Sequence, residues 1–182
     1  MSTLLEGPET ELAETDYHAF NRALWERLLV DPVFSRFEFR IETDRHGQVI
    51  MSPPPAPSHG NFQATISRIL GNSSSTGKVL SECPISTREG VKAADVVWCS
   101  DAVWDRLGEG TCFEQCPEVC VEVLSPSNTR SEIQEKRRLY FEEGAEEFWL
   151  CHSDGRMEFF ESMEGEPMQT STLFPDFPSK IG

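Results

Sequence analysis

Two acidic residues occupy positions that a purely structural strand would fill with an apolar side chain. Asp95 lies inside the run AADVVW and Glu122 inside the run VCVEVL. An ionised carboxylate is costly to bury unless it is paired, so each of these residues implies a partner. Side chains alternate along a strand, so Val119, Val121 and Val123 face one way while Cys120, Glu122 and Leu124 face the other. Glu122 therefore projects from a sheet near the C-terminal end of its strand. If the strands that carry Asp95 and Glu122 are neighbours, two like charges converge and call for a cation between them. Mg²⁺ suits such a place, with Mn²⁺ as a substitute, because it takes a few carboxylates and keeps waters for a substrate phosphate.

A third element follows Glu122. Residues 129–143 read as a helix, and at about 100° per residue Ile133, Tyr140 and Gly144 fall in one narrow stripe. Lys136 and Arg137 flank that stripe, which directs Lys136 toward the sheet. An ammonium beside two carboxylates and a metal orients or deprotonates a water, or stabilises charge developing on a phosphate. Each residue also has an ordinary reading: a lone strand acid as an edge residue in water, a helical lysine as one that snorkels.

Other polar residues fall near this constellation. His59 and Gln63 sit one turn apart on the same side of their helix as Phe62 and Ile66. They read as a satisfied core histidine or a cap, or as residues that line a metal cleft. Glu42 is a possible third acid, although a solvent-facing strand end is the simpler expectation. Ser125, Ser127 and Asn128 read as turn and capping residues. The chain lacks a GxxxxGK[ST] phosphate loop, an HExxH helix, a GxSxG elbow and a GxGxxG turn after a strand. It has four histidines, too few for a histidine-rich metal site.

Composition narrows the class further. The formal charge of −15 speaks against an open basic surface that wraps nucleic acid, but not against an enzyme that meets phosphate through a metal ion. Six cysteines in a core-sized chain without a basic secretory start read as reduced thiols. Cys112, Cys116 and Cys120 share a four-residue spacing, yet Pro117 and the following β-branched run argue against a helix through them, and the spacing is not that of a zinc ribbon. The apolar stretches fall short of the roughly 18 residues of a membrane span. These features predict a soluble, cytoplasmic protein.

The elements that must position the site are legible in outline. Residues 1–14 are acidic and aperiodic and read as a mobile tail, and residues 15–182 as one domain. Helical spacing of Tyr17, Phe20, Leu24, Trp25 and Leu28 predicts a helix over 16–29. Phe37, Phe39 and Ile41 alternate with polar residues, and residues 49–52 return as the second strand of a hairpin. SPPPAPS leads into a helix over 58–71, capped near Ser58. Strands are expected at 78–81, extendable to 85, at 94–99 and at 118–124, with a short glycine-ended helix before the third. After the helix at 129–143, with Thr129 and Glu132 at capping-box spacing, EEFWLC and RMEFFE are strands and LFPDFP is irregular. The order, α, ββ, α, β, β, β, α, β, β plus the short helix, predicts an α/β fold with one central sheet flanked by helices.

The run PEVCVEVLSPSNTRSEIQEKRRLYFEEGAEEFWLC, with IMSPPPAPSHGNFQ before it and LFPDFP after it, resembles the Uma-two family of restriction-endonuclease-like proteins in the PD-(D/E)XK nuclease superfamily. The resemblance covers roughly residues 37–178. It implies a restriction-endonuclease-like fold with a mixed sheet, to which the N-terminal helix and the hairpin are additions. It also implies that Asp95 and Glu122 are Mg²⁺ ligands, and that Lys136 replaces the lysine the superfamily usually carries at the place of Leu124. The activity implied is a Mg²⁺-dependent endonuclease acting on DNA, with a homodimer supplying two sites. The alternative is an inactive nuclease-fold module that binds or assembles, which the negative charge favours.

Overall fold

A two-stranded and a five-stranded sheet organise the chain in the computed structural model, which describes residues 16–34, 40–126 and 128–182. The expected tail at 1–14, Phe37 and Phe39 of the first strand, and Ser127 lie outside the described residues. In chain order the elements are α1 (Asp16–Val30), β1 (Arg40–Thr43), β2 (Val49–Ser52), α2 (Pro57–Ser73), β3 (Lys78–Thr87), β4 (Gly90–Cys99), α3 (Asp101–Leu107), β5 (Val119–Val123), α4 (Arg130–Glu142), β6 (Glu147–Cys151) and β7 (Met157–Phe160).

The main sheet has the order β3-β4-β5-β6-β7, and β1 and β2 pair separately as an antiparallel hairpin. All neighbours in the main sheet are antiparallel except β5 and β6, which run parallel and are joined through α4. This βαβ crossover sets the C-terminal end of β5 beneath the helix that follows it. Two cores form on the two faces, as the alternation in β5 requires. Cys120 packs with Ile133 and Tyr140 of α4 on one face. On the other, Val119, Val121 and Val123 meet Ile66 and Leu70 of α2.

Three details differ from the sequence expectation. Helix α2 is not capped by Ser58: Ala56 is its N-cap, without a side-chain bond, and Pro57 begins the helix where a missing N–H does no harm. Strands β3 and β4 are longer than expected and form one hairpin paired from Lys78↔Cys99 to Thr87↔Gly90. Pro84 is tolerated inside β3 because β3 is an edge strand. The irregular LFPDFP segment is also part of the core, since Phe174 and Phe177 are buried against Trp149 with ring centroids 6.0 and 4.6 Å away.

The hairpin β1–β2 lies against the first half of β4, the part that β5 does not pair. Thr43 Oγ1 accepts from the Val91 N–H at 2.9 Å, and Glu42 Oε1 accepts from the Ala93 N–H at 3.2 Å. The turn is held by Asp44, whose Oδ1 accepts from the N–H groups of His46 and Gln48. Helix α1 is tied to the β3–β4 hairpin by Asn21, which donates to Ser86 Oγ and the Thr87 carbonyl. The additions before α2 thus complete one side of the cleft at the end of β5.

Candidate active site

Strand β5 presents Glu122 on the α4 face, and β4 is its antiparallel neighbour with Val96 opposite Val121. One step further along that register, Asp95 comes beside Glu122. Asp95 Oδ2 accepts from the Val123 N–H at 2.6 Å, so the end of β5 itself anchors the second carboxylate. Both acids are buried, at 1% exposure for Asp95 and 3% for Glu122.

Lys136 comes down from α4 onto this pair. Its Nζ donates to both oxygens of Glu122 at 3.2 Å, to Glu42 Oε1 at 2.9 Å and to the Ala93 carbonyl at 3.2 Å. The helix is placed by the Thr129–Glu132 capping box that the sequence predicts. One turn beyond Lys136, the Tyr140 hydroxyl donates to Glu122 Oε1 at 2.8 Å. The sequence stripe that puts Tyr140 toward the core thus also supplies a hydrogen bond to the site.

Glu42 is not a solvent-facing strand end. Its side chain is mostly buried, bonded to Lys136 and to the Ala93 N–H. The reason is tertiary: β1 packs on β4, so a residue that looks terminal in the sequence is enclosed by a strand far along the chain.

His59 and Gln63 both turn toward Asp95, and the N-cap of their helix is Ala56. Among the described residues neither ring nitrogen of buried His59 has a hydrogen-bond partner, and Nε2 lies 3.4 Å from Asp95 Oδ1. Gln63 Nε2 donates to Glu82 Oε1 at 2.6 Å and to Asp95 Oδ1 at 3.3 Å. Both therefore border the carboxylates from α2.

Arg40 and Glu82 join the site without having been singled out in the sequence. The Arg40 guanidinium donates to Asp95 Oδ1 and to the Ala93 carbonyl. It also lies 3.6 Å from Glu42, 3.4 Å from Glu82 and 4.0 Å from Glu122. Glu82 has a left-handed backbone at φ 52, unusual for a residue with a side chain, and drops out of a ladder that resumes at Cys83↔Ala94. An exposed arginine at a strand start and a glutamate in an edge strand are ordinary in a sequence. Only the approach of β1 and β3 to the same end of β4 makes them neighbours.

The electrostatics follow from this crowding. Burial pushes the Glu122 carboxyl up, and Asp95 and Glu42 add to it against Lys136 and Arg40, so that it titrates at about 7. Burial also disfavours the Asp95 and Glu42 anions, but here the partners win and both carboxyls fall below their ordinary values. For Asp95 the opposing groups are chiefly His59, Arg40 and the Val123 N–H, and for Glu42 chiefly Lys136 and Arg40. Lys136 loses less from burial than it gains from Glu122 and Glu42, and its pKa is raised. The Asp95 carboxylate, against the effect of burial, raises that of His59.

The donor set suits a hard divalent cation. Glu42, Glu82, Asp95 and Glu122 offer only oxygen atoms, and when ionised they carry four negative charges against the two of Arg40 and Lys136. Two charges are left uncompensated, the charge of one Mg²⁺. Among the described residues no three His, Cys, Asp or Glu side chains are already gathered closely enough to hold an ion, because the two cationic side chains stand between them. The six cysteines are all buried and free of disulfides. Burial raises the thiols of Cys83, Cys99, Cys112, Cys116, Cys120 and Cys151, as expected for core side chains.

A mixed sheet whose parallel crossover sets a lysine over two strand-end carboxylates defines a restriction-endonuclease-like α/β protein. The chain belongs to the Uma2 family, described as "Putative restriction endonuclease", whose pattern it matches over residues 27–177. The fold is similar to the crystal structure of "a putative nuclease belonging to DUF820" from Anabaena variabilis, with a TM-score of 0.60. The two chains are 16% identical, and the match covers 70% of this chain and 74% of that one. No curated protein matches the chain.

Proposed function

We propose that this protein is a Mg²⁺-dependent endonuclease that hydrolyses DNA phosphodiester bonds at the C-terminal end of β5. The family and the fold support a nuclease. The observation that carries the finer reading is the group of carboxylates in excess over its cations, with Asp95 and Glu122 buried, Glu42 mostly buried and Glu82 at the exposed rim, gathered from four separate elements at one strand end.

Asp95 and Glu122 would hold the ion, with Glu42 beside them, and it would supply Lewis-acid polarisation of a phosphoryl oxygen and a more acidic water. Lys136 orients the attacking water or offsets the charge that develops on the phosphate. Tyr140 fixes the Glu122 carboxylate in one rotamer through its hydroxyl, and Gln63 and His59 border Asp95 from the opposite side. Hydrolysis adds water across one P–O ester bond, and the products carry a phosphate and a hydroxyl at the break. Two such sites in a homodimer would cut both strands of a duplex. Among the described residues no helix is long and apolar enough to cross a membrane.

The test is cleavage of end-labelled single- and double-stranded DNA with Mg²⁺ or Mn²⁺, comparing wild type with Glu122→Gln and Lys136→Ala. Loss in both folded variants and in EDTA supports the assignment. Equal cleavage by all three proteins exposes a contaminant. The charge of −15, which disfavours phosphate binding, supports a second reading as a nuclease-fold assembly module, and no cleavage by the wild type on either substrate favours it.

A further inference from the structure

We infer that Arg40 is the resident counter-ion of the divalent-cation site and that metal binding is an exchange, in which the guanidinium leaves the carboxylates as the ion enters. The inference rests on the metal-dependent reading above and assigns a role to a residue outside the Asp95, Glu122 and Lys136 set.

The geometry points to exchange rather than to addition. Asp95 Oδ2 is engaged by the Val123 N–H and Glu122 Oε1 by Tyr140, while Lys136 spans both Glu122 oxygens at 3.2 Å. The oxygens nearest Arg40 are Asp95 Oδ1 and Glu122 Oε2. Arg40 lies between them, with one terminal nitrogen bonded to Asp95 Oδ1 and the other 4.0 Å from Glu122 Oε2. An ion held by Asp95 and Glu122 would compete with the guanidinium for these carboxylates. Lys136 also bonds Glu122 Oε2, but its partners are Glu42, Glu122 and the Ala93 carbonyl, whereas Arg40 reaches both Asp95 and Glu122.

Arg40 also has somewhere to go. A cavity of about 510 Å³ adjoins the cluster, lined by Arg40, Gln63 and Glu82 on one side and by Trp25, Phe34 and Ile41 among the apolar residues on the other. Among the described residues Arg40 Nε is buried without a hydrogen-bond partner, with Glu82 Oε2 3.4 Å away. Moving the aliphatic stem along the apolar wall while Glu82 keeps hold of the head is a low-cost displacement for such a side chain. Charge favours the exchange as well: with Arg40 kept on Glu82, ionised Glu42, Asp95 and Glu122 face only Lys136, and one dication balances the remaining two charges.

The prediction is a reversed sign for a charge-removing variant. A residue that merely supports the site weakens metal binding when removed, whereas a competitor strengthens it. Mn²⁺ binding to wild type, Arg40→Gln and Arg40→Lys is to be measured by isothermal titration calorimetry, with melting temperatures in EDTA and in excess Mn²⁺. Exchange predicts that Arg40→Gln binds Mn²⁺ about tenfold or more tightly than wild type, since a like charge within a few ångströms of the ion is gone. Arg40→Lys falls between them. In EDTA the Gln variant melts lower than wild type, and Mn²⁺ closes the gap. If Arg40→Gln does not fold in EDTA, recovery of its near-ultraviolet circular dichroism on adding Mn²⁺ is the expected result. Failure to recover, with Arg40→Lys binding no tighter than wild type, overturns the exchange. So does a folded Arg40→Gln that binds Mn²⁺ equally or more weakly while wild type binds it. Absence of Mn²⁺ binding in every variant overturns both the exchange and the metal-dependent reading on which it rests.

Discussion

Lys136 Nζ sits 3.2 Å from both oxygens of Glu122, although the two residues belong to different elements, α4 and β5. The connection between those elements is short, so the capping box at Thr129 fixes where α4 starts and hence which of its turns lies over the strand end. Leu124, the next residue on the same face of β5, packs into the core instead. The ammonium beside Glu122 therefore comes from the helix.

Removing this ammonium should abolish activity and also weaken the fold. Lys136→Met leaves Glu122 and Glu42 facing each other with only Arg40 for charge. Breaking a buried pair costs about 3–5 kcal/mol, and the 16% side-chain exposure of Lys136 places the expected loss toward the lower end. Urea unfolding measures it. Lys136→Arg should recover much of the stability but little of the activity, because a planar fork cannot reproduce four converging contacts of a compact ammonium. Full activity in Lys136→Arg would contradict that role.

Tyr140→Phe tests the hydroxyl that holds Glu122. The ring remains to fill the core, so the change isolates one hydrogen bond at a fully buried carboxylate. The expected loss is about 1–3 kcal/mol, the range for leaving a buried partner unsatisfied. The Glu122 carboxyl should titrate higher than in wild type, since a donor to its anion is gone. Chemical denaturation with infrared or NMR titration of Glu122 reads both effects, and an unchanged midpoint would show that the bond contributes nothing.

Much of this arrangement was legible in the sequence, and the parts that were not share one cause. Period-two alternation assigns Glu122 and the valines around it to opposite faces, and the helical stripe places Lys136 and Tyr140, because both depend on local geometry alone. Asp95 and Glu122 could be flagged individually, as acids in apolar runs, but their meeting required β4 and β5 to be neighbours. Arg40 and Glu82 gave no such signal, and Glu42 stood out only as a possible third acid with a solvent-facing strand end as the simpler expectation. They lie on short or edge strands, where charged residues are common, and become site residues only because β1 and β3 flank the same end of β4. The extension of β3 through Pro84 was hard to read for a related reason, since proline marks an edge strand only once the strand order is known.

The pH dependence of stability should carry the signature of Glu122. Its carboxyl titrates at about 7 in the folded protein against an ordinary 4.5, so the folded state holds the proton more tightly than the unfolded chain. That contribution is complete below the ordinary value and is lost as pH rises through about 7. Asp95 and Glu42 act in the opposite sense, because their carboxyls are lowered on folding. Their contribution is present above the ordinary carboxylate range and is lost in more acidic solution. In EDTA the metal-free protein should therefore lose on the order of 3 kcal/mol of stability between about pH 5 and pH 8 on account of Glu122. Urea unfolding across that window measures the slope. Glu122→Gln should flatten it, and a wild-type profile already flat there would show that the carboxyl is ionised throughout.

Glu147 provides the control that separates a structural acid from those of the site. It too sits in an apolar strand, EFWLC, and by sequence pattern alone it resembles Glu122. Its partners, however, all lie on the protein's own chain away from the cleft. Glu147 accepts from Trp149 Nε1 at 2.6 Å, Ser171 Oγ at 2.7 Å, and the N–H groups of Thr172 and Leu173 at 2.7 and 2.9 Å. These bonds fasten the segment that carries Phe174 and Phe177 over the core face of β6. Glu147→Ala leaves two buried and two half-buried donors without an acceptor, and the expected destabilisation is about 2–5 kcal/mol. Hydrogen exchange should show loss of protection at Thr172 and Leu173 before the central strands open. Because Glu147 touches none of the site residues, Mn²⁺ affinity measured well below the melting temperature should stay at the wild-type value. A variant with intact C-terminal protection, or one whose metal affinity falls with its stability, would place Glu147 in a different role.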